Sequence, residues 1–129
     1  MSINFQPYIR DGNTAHWIVP SEARKDPDAF SLSLSSGNAM DLLLALGLSD
    51  TYSEEPWPLA AFANLVTEAL RRHLGQRSPE LPTVVKHEPG KMRITHLGRP
   101  EGYIEQRLIE LSALLQRSRE AGATHIGWG

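Results

Sequence analysis

An α+β fold follows from three features of the sequence. Residues 30–35 (FSLSLS) alternate apolar and polar side chains with the period of a half-buried strand. Residues 83–97 read as two short strands about Glu88-Pro89-Gly90-Lys91, whose proline and glycine suit a type II turn with Gly90 at positive φ. Residues 58–74 and 99–122 carry apolar side chains at helical spacing. The expectation is a single α+β domain over residues 1–129: an antiparallel-rich mixed sheet of five or six strands, two long helices packed on one face, and one short helix. A chain of 129 residues suits one hydrophobic core, because two would each approach the size at which a core becomes marginal.

In chain order, Ile3 to Ile9 places Ile3, Phe5 and Pro7 on one side and Asn4, Gln6 and Tyr8 on the other, and its proline points to a sheet edge. Asp11-Gly12-Asn13 supplies turn chemistry, so Ala15 to Pro20 returns as the second strand of a hairpin. Ser21 to Asp28 reads as a charged loop before the strand at 30–35. Asn38 is the expected N-cap of a short helix from Ala39 to Leu46, with Asp41 in its first turn and Gly47 at C′. A polar, acidic stretch leads to Pro56-Trp57-Pro58, which opens a helix running to about Leu74. Phe62, Val66, Ala69, Leu70 and Leu74 form its apolar stripe, and Glu68 can pair with Arg72.

In the second hairpin, Glu88 opposite Lys91 sets Val85 against Ile94 and His87 against Met92, leaving Lys86 and Arg93 on the other face. Gly98-Arg99-Pro100 starts the longest helix, in which Ile104, Leu108, Leu111 and Leu115 repeat and which Gly122 ends. Thr124 to Trp128 is a closing strand. Only a tight turn separates it from the helix, so residues 92–128 are expected to form a right-handed β-α-β unit.

Composition removes several functions. Without cysteine there is no disulfide, thiolate nucleophile or cysteine-ligated zinc. The five histidines form no HxH or HxxxH pair, and His87 and His96 would sit about 13 Å apart along the hairpin, too far to share a metal. No metal or cofactor is implied. No GxSxG, SxxK or close pair of carboxylates stands out, so no catalytic residue is nominated and enzymatic activity is left undecided. A formal charge of −2 gives no global attraction to nucleic acid. No window approaches a membrane span, and Met1 to Arg10 lacks a signal-peptide core, so a cytoplasmic location is expected.

Two candidate sites remain. Ser35, Ser36, Gly37 and Asn38 form a strand-to-helix junction whose free N–H groups could hold an anion or small ligand, although ordinary helix capping also explains them. Trp57 between two prolines, together with Lys86 and Arg93 on the second hairpin, could form an interaction surface, against which stands simple packing of Trp57 and a solvated basic face. The leading reading is therefore a non-enzymatic interaction or regulatory domain with a protein partner. The alternative is a small-ligand or anion-binding protein, or a minor enzyme, using residues 35–38. Unpaired strand edges also lead to the expectation of a homodimer.

The segments SLSLSSGNAMDLLLALGL at 31–48, EGYIEQRLIELSALL at 101–115 and the terminal Gly127-Trp128-Gly129 resemble a family of small bacterial proteins without assigned function. The resemblance implies a bacterial, intracellular protein and transfers no catalytic residue and no substrate.

Overall fold

The strand at the centre of the sheet carries a proline in its interior. In the computed structural model, which describes residues 2–12, 16–50, 52–73, 79–80, 84–88, 91–96 and 101–129, the last two strand segments through their backbone, β1 runs from Ser2 to Arg10. It pairs antiparallel with β2 (Trp17–Ile18), β3 (Leu32–Ser35) and β7 (His125–Trp128). A short strand, β4 (Trp57–Pro58), completes the five-stranded sheet on the far side of β7.

β1 was expected at a sheet edge, and the hydrogen bonds explain why proline is tolerated inside. Asn4 exchanges both backbone bonds with Gly129, and the Tyr8 carbonyl accepts from Thr124, so even-numbered residues of β1 face β7. Odd-numbered residues face the opposite edge, where β3 covers residues 2–5 and β2 covers residues 9 and 10. Pro7 falls in the gap between those two partners and its missing N–H breaks no ladder. Val19, Ala23, Pro27 and Phe30 gather around Gln6 and Pro7. They belong to a segment expected as a loop that instead holds a short helix, α1 (Ser21–Lys25), with Ala23 buried.

The alternation of β1 sorts the two faces of the sheet. Ile3 and Phe5 join Leu34, Ile126 and Trp128 in the core, covered by α2 (Ser36–Ala45), α3 (Leu59–Arg72) and α4 (Tyr103–Glu120). Leu42, Leu43, Phe62, Val66, Leu108, Leu111 and Leu114 are the largest contributions of these helices. The aromatic centre is Phe62, whose ring centroid lies 5.5 Å from Trp128 and 6.3 Å from Phe5.

Helix boundaries depart from expectation where capping was read from residue type. α2 begins at Ser36 with Ser35 as N-cap, so Asn38 lies inside the first turn and Asp41 lies beyond it. Gly47 takes φ 82° just past the helix, as its C′ role requires. Trp57 and Pro58 pair with Ile126 and His125 in the sheet before α3 starts, and α3 ends at Arg72. Glu68 pairs with Arg71 rather than Arg72, because Arg72 reaches across to donate to the Ala45 carbonyl at 2.8 Å. α4 begins after Gly102, an N-cap at φ 77° that favours glycine.

The second hairpin, β5 (Val84–Glu88) and β6 (Lys91–His96), has the expected register, with Val85 opposite Ile94, His87 opposite Met92, Lys86 opposite Arg93 and Glu88 opposite Lys91. The type II turn at 89–90 lies outside the described residues. The hairpin forms its own two-stranded sheet, and every described pairing in both sheets is antiparallel. The chain order strand, helix, strand from residue 91 to residue 128 is present. Among the described residues a crossover within one mixed sheet is not, because β6 pairs there with β5 alone and β7 enters antiparallel to β1 and β4.

Ser118 is an irregularity in the core. Its hydroxyl is fully buried in α4 with no hydrogen-bond partner. An unsatisfied buried hydroxyl costs about 1–3 kcal/mol, so Ser118→Ala is expected to raise stability by about 1 kcal/mol after loss of some packing. Urea denaturation checks this; a variant less stable than the parent would show that the hydroxyl is satisfied in solution.

Candidate functional site

The face of the sheet turned away from α2, α3 and α4 carries Asn4, Gln6 and Tyr8 from β1, each half-buried. Cross-strand pairing adds neighbours on the same side: Arg10 stands opposite Trp17, and Tyr8 opposite His125. The Trp17 ring lies 4.5 Å from the His125 ring and 5.7 Å from the Arg10 guanidinium carbon, so a polar aromatic patch forms at the β2 end. His125 is held further by a 2.8 Å contact between Nδ1 and the Thr124 hydroxyl.

A groove of about 380 Å³ runs over this face. Asn4, Gln6, Tyr8, Trp17, Ser53, Pro56 and Gly127 are its principal walls, and none of them carries a formal charge. Its floor is closely packed on a glycine. A Cβ at Gly127 would lie 3.0 Å from Cε2 of Tyr8 and 3.1 Å from Oγ of Ser53, so the tyrosine ring rests directly on the strand. Among the described residues neither side-chain amide, of Asn4 or of Gln6, has a hydrogen-bond partner. Each offers donors and an acceptor to whatever enters the groove.

The loop preceding β4 is fixed to β7 by Trp128. The Ser53 N–H donates to the Trp128 carbonyl at 2.9 Å, the Trp128 N–H donates to Ser53 Oγ at 3.0 Å, and the indole Nε1–H donates to the Asp50 carbonyl at 2.9 Å. This pinning creates a second groove of about 440 Å³, lined by residues 47–50, 52–55, Trp57 and Trp128. The two grooves share Ser53 and Trp128 as a common wall.

Of the described side chains nominated from sequence, all but one lie outside the two grooves. Ser35 is the N-cap of α2 but makes no side-chain capping bond, and neither groove is lined by residues 35–38. The Asn38 amide donates to the Tyr103 hydroxyl at 3.4 Å. Tyr103 also lies 5.0 Å from the Arg107 guanidinium carbon. Partial burial opposes the charge on Arg107, but hydrogen bonds to Glu110 and Tyr103 outweigh it and raise its pKa above the usual guanidinium value. Lys86 and Arg93 pair with each other across the hairpin. Trp57 is the exception: it is half-buried, sits edge-on to Phe62 at 6.4 Å, and also walls the second groove. Thus packing and exposure coexist in one side chain.

The alternation of Asn4, Gln6 and Tyr8 was visible in the sequence, and glycine between two apolar strand residues was a sign of close backbone approach at Gly127. Neither could be connected to the other before the pairing of the first and last strands was known. Among the described residues no group of three or more His, Asp or Glu is placed to hold a metal ion, and no helix is long and apolar enough to cross a membrane. Comparison with family models, with curated proteins and with solved structures finds no match to this chain.

Proposed function

We propose that this protein is a non-enzymatic interaction domain that receives an extended segment of a partner polypeptide across the face of its sheet opposite α2, α3 and α4. The observation that carries this reading is the pair of uncommitted amides, Asn4 and Gln6, beside Tyr8 and Trp17 in one uncharged groove. Two residues of strand span about 6.7 Å, which is also the repeat of same-side carbonyls in an extended peptide, so successive amides on β1 meet successive peptide groups laid along it. Tyrosine and tryptophan add amphipathic contact area of the kind enriched at binding hot spots. The junction at residues 35–38 is less well supported as a ligand site, since Asn38 is engaged with Tyr103.

Random short peptides displayed on phage and selected against the purified protein are expected to enrich binders. With synthetic copies, Asn4→Ala combined with Gln6→Ala is expected to weaken affinity about 10- to 30-fold, from two hydrogen bonds at about 1 kcal/mol each. Amide NMR shifts on titration are expected at residues 4–8, 17, 53 and 127. Equal affinity for the double variant would sink the reading. So would light scattering that finds a dimer dissociated by Tyr8→Ala, because the face would then belong to a second copy of the chain.

A further inference from the structure

We infer that the bound segment anchors an aromatic side chain in an apolar pocket at the gap between β2 and β3, which rests on the reading of the open face as a peptide site. The pocket has its cause in the sheet. β3 covers residues 2–5 of β1 and β2 covers residues 9 and 10, so among the described residues no strand covers Pro7 on that edge. Val19 follows β2 and Phe30 leads into β3 on the two sides of the gap, while α1 and the turn after it supply Ala23 and Pro27. The space left among them is about 300 Å³.

Two observations point to an apolar occupant that arrives with the segment. Val19 and Phe30 are half-buried, yet neither belongs to the core cluster or packs against it, so their apolar surface is not spent on the main core. Gln6 lines both this pocket and the amide-lined groove, so a segment laid along β1 passes beside it. Successive side chains of an extended segment point to alternate sides, which leaves one free to enter the pocket while the main chain meets Asn4 and Gln6. An aromatic ring suits the space. An apolar cavity of about 150 Å³ is enough to hold a benzene, so this pocket has room for a phenyl or indole ring. Phe30 offers a ring for an aromatic pair, and Pro7 and Pro27 have no N–H to leave unpaired beneath the occupant. Arg24 is the one charged residue lining the pocket; it is exposed, so its guanidinium stays in water while its stem adds apolar surface. The amide-lined groove then recognises main chain, and the pocket selects sequence.

The test uses the peptides selected above. Enriched sequences are expected to share an aromatic residue at a fixed position, and its replacement by alanine in a synthetic peptide is expected to weaken binding at least about tenfold. In the parent complex, nuclear Overhauser effects are expected from the ring protons of that residue to the methyl groups of Val19 and Ala23. Ala23→Met lengthens a side chain that lines the pocket and is expected to weaken the aromatic peptide about tenfold, after which the alanine peptide loses nothing further. Phe30→Ala, at a position outside the core, is expected to give the same pattern with a smaller loss, and thermal unfolding verifies that each variant is folded. If alanine in the peptide costs less than about twofold, or the ring shows no contact to Val19 and Ala23, while the Asn4/Gln6 variant still weakens binding, the anchor inference fails and the peptide reading stands. If no selected peptide binds in solution, both fall.

Discussion

Trp128→Ala is expected to lower the stability of the fold by about 3–5 kcal/mol, the cost of deleting a buried large aromatic. Trp128 is 6% exposed and contacts Phe5, Phe62 and Trp57 at centroid distances of 6.0, 5.5 and 6.4 Å. Its indole also ties Asp50, and its backbone ties Ser53, so the residue joins the core to the loop that forms both grooves. For a domain of this size the melting temperature is expected to fall by about 15 °C. Trp128→Phe retains most of the packing and loses the bond to Asp50, with an expected loss of about 1–2 kcal/mol. Calorimetry distinguishes the two variants; an alanine variant within about 1 kcal/mol of the parent would mean that this aromatic centre is not the core of the fold.

Gly127→Val has the second large expected effect, and it acts on the other side of the same strand. The added Cβ enters the space of Tyr8 and Ser53, at 3.0 and 3.1 Å. Relief requires the Tyr8 ring and the Ser53 hydroxyl to give way by a few tenths of an ångström and to make room for the branching methyls as well, a cost of about 2 kcal/mol. The valine side chain and the displaced ring narrow the groove, so peptide affinity is expected to fall at least about tenfold, beyond what the stability change alone produces. Gly127→Ala, with no branching methyls, is expected to show about half the stability loss. Unfolding and binding titrations on the same preparations provide the check. A valine variant that melts and binds like the parent would remove Gly127 from the account of the groove.

Legibility of the fold differed by element, for physical reasons. α4 carries its apolar repeat at Ile104, Leu108, Leu111 and Leu115 within one segment, and all four are buried. The β5–β6 register follows from the turn that joins the strands, and Gly47 and Gly122 follow from the left-handed residues that end α2 and α4. Each is a local matter. Asn38 was nominated as a cap on residue type, yet the last polar residues of β3 run directly into α2, and Ser35 takes the cap position without a side-chain bond. Capping preference favours a position without fixing it when the strand before the helix is already anchored.

By itself, the sequence determined the α+β class, the hydrophobic faces of the helices, the hairpin register and the side of β1 on which Asn4, Gln6 and Tyr8 would stand. It could not determine which strand lies beside which. A strand's period fixes its two faces, whereas its neighbours are chosen by contacts between residues as far apart as Phe5 and Trp128. Tertiary pairing decided that a proline-bearing strand would be central, because β2 and β3 leave a gap at Pro7. It also laid β7 beside β1, which put Gly127 beneath Tyr8 and the loop at Ser53 next to both. The candidate site is thus assembled from residues near the two ends and the middle of the chain, each ordinary in its own segment, and joined only by the antiparallel ladder between the first strand and the last.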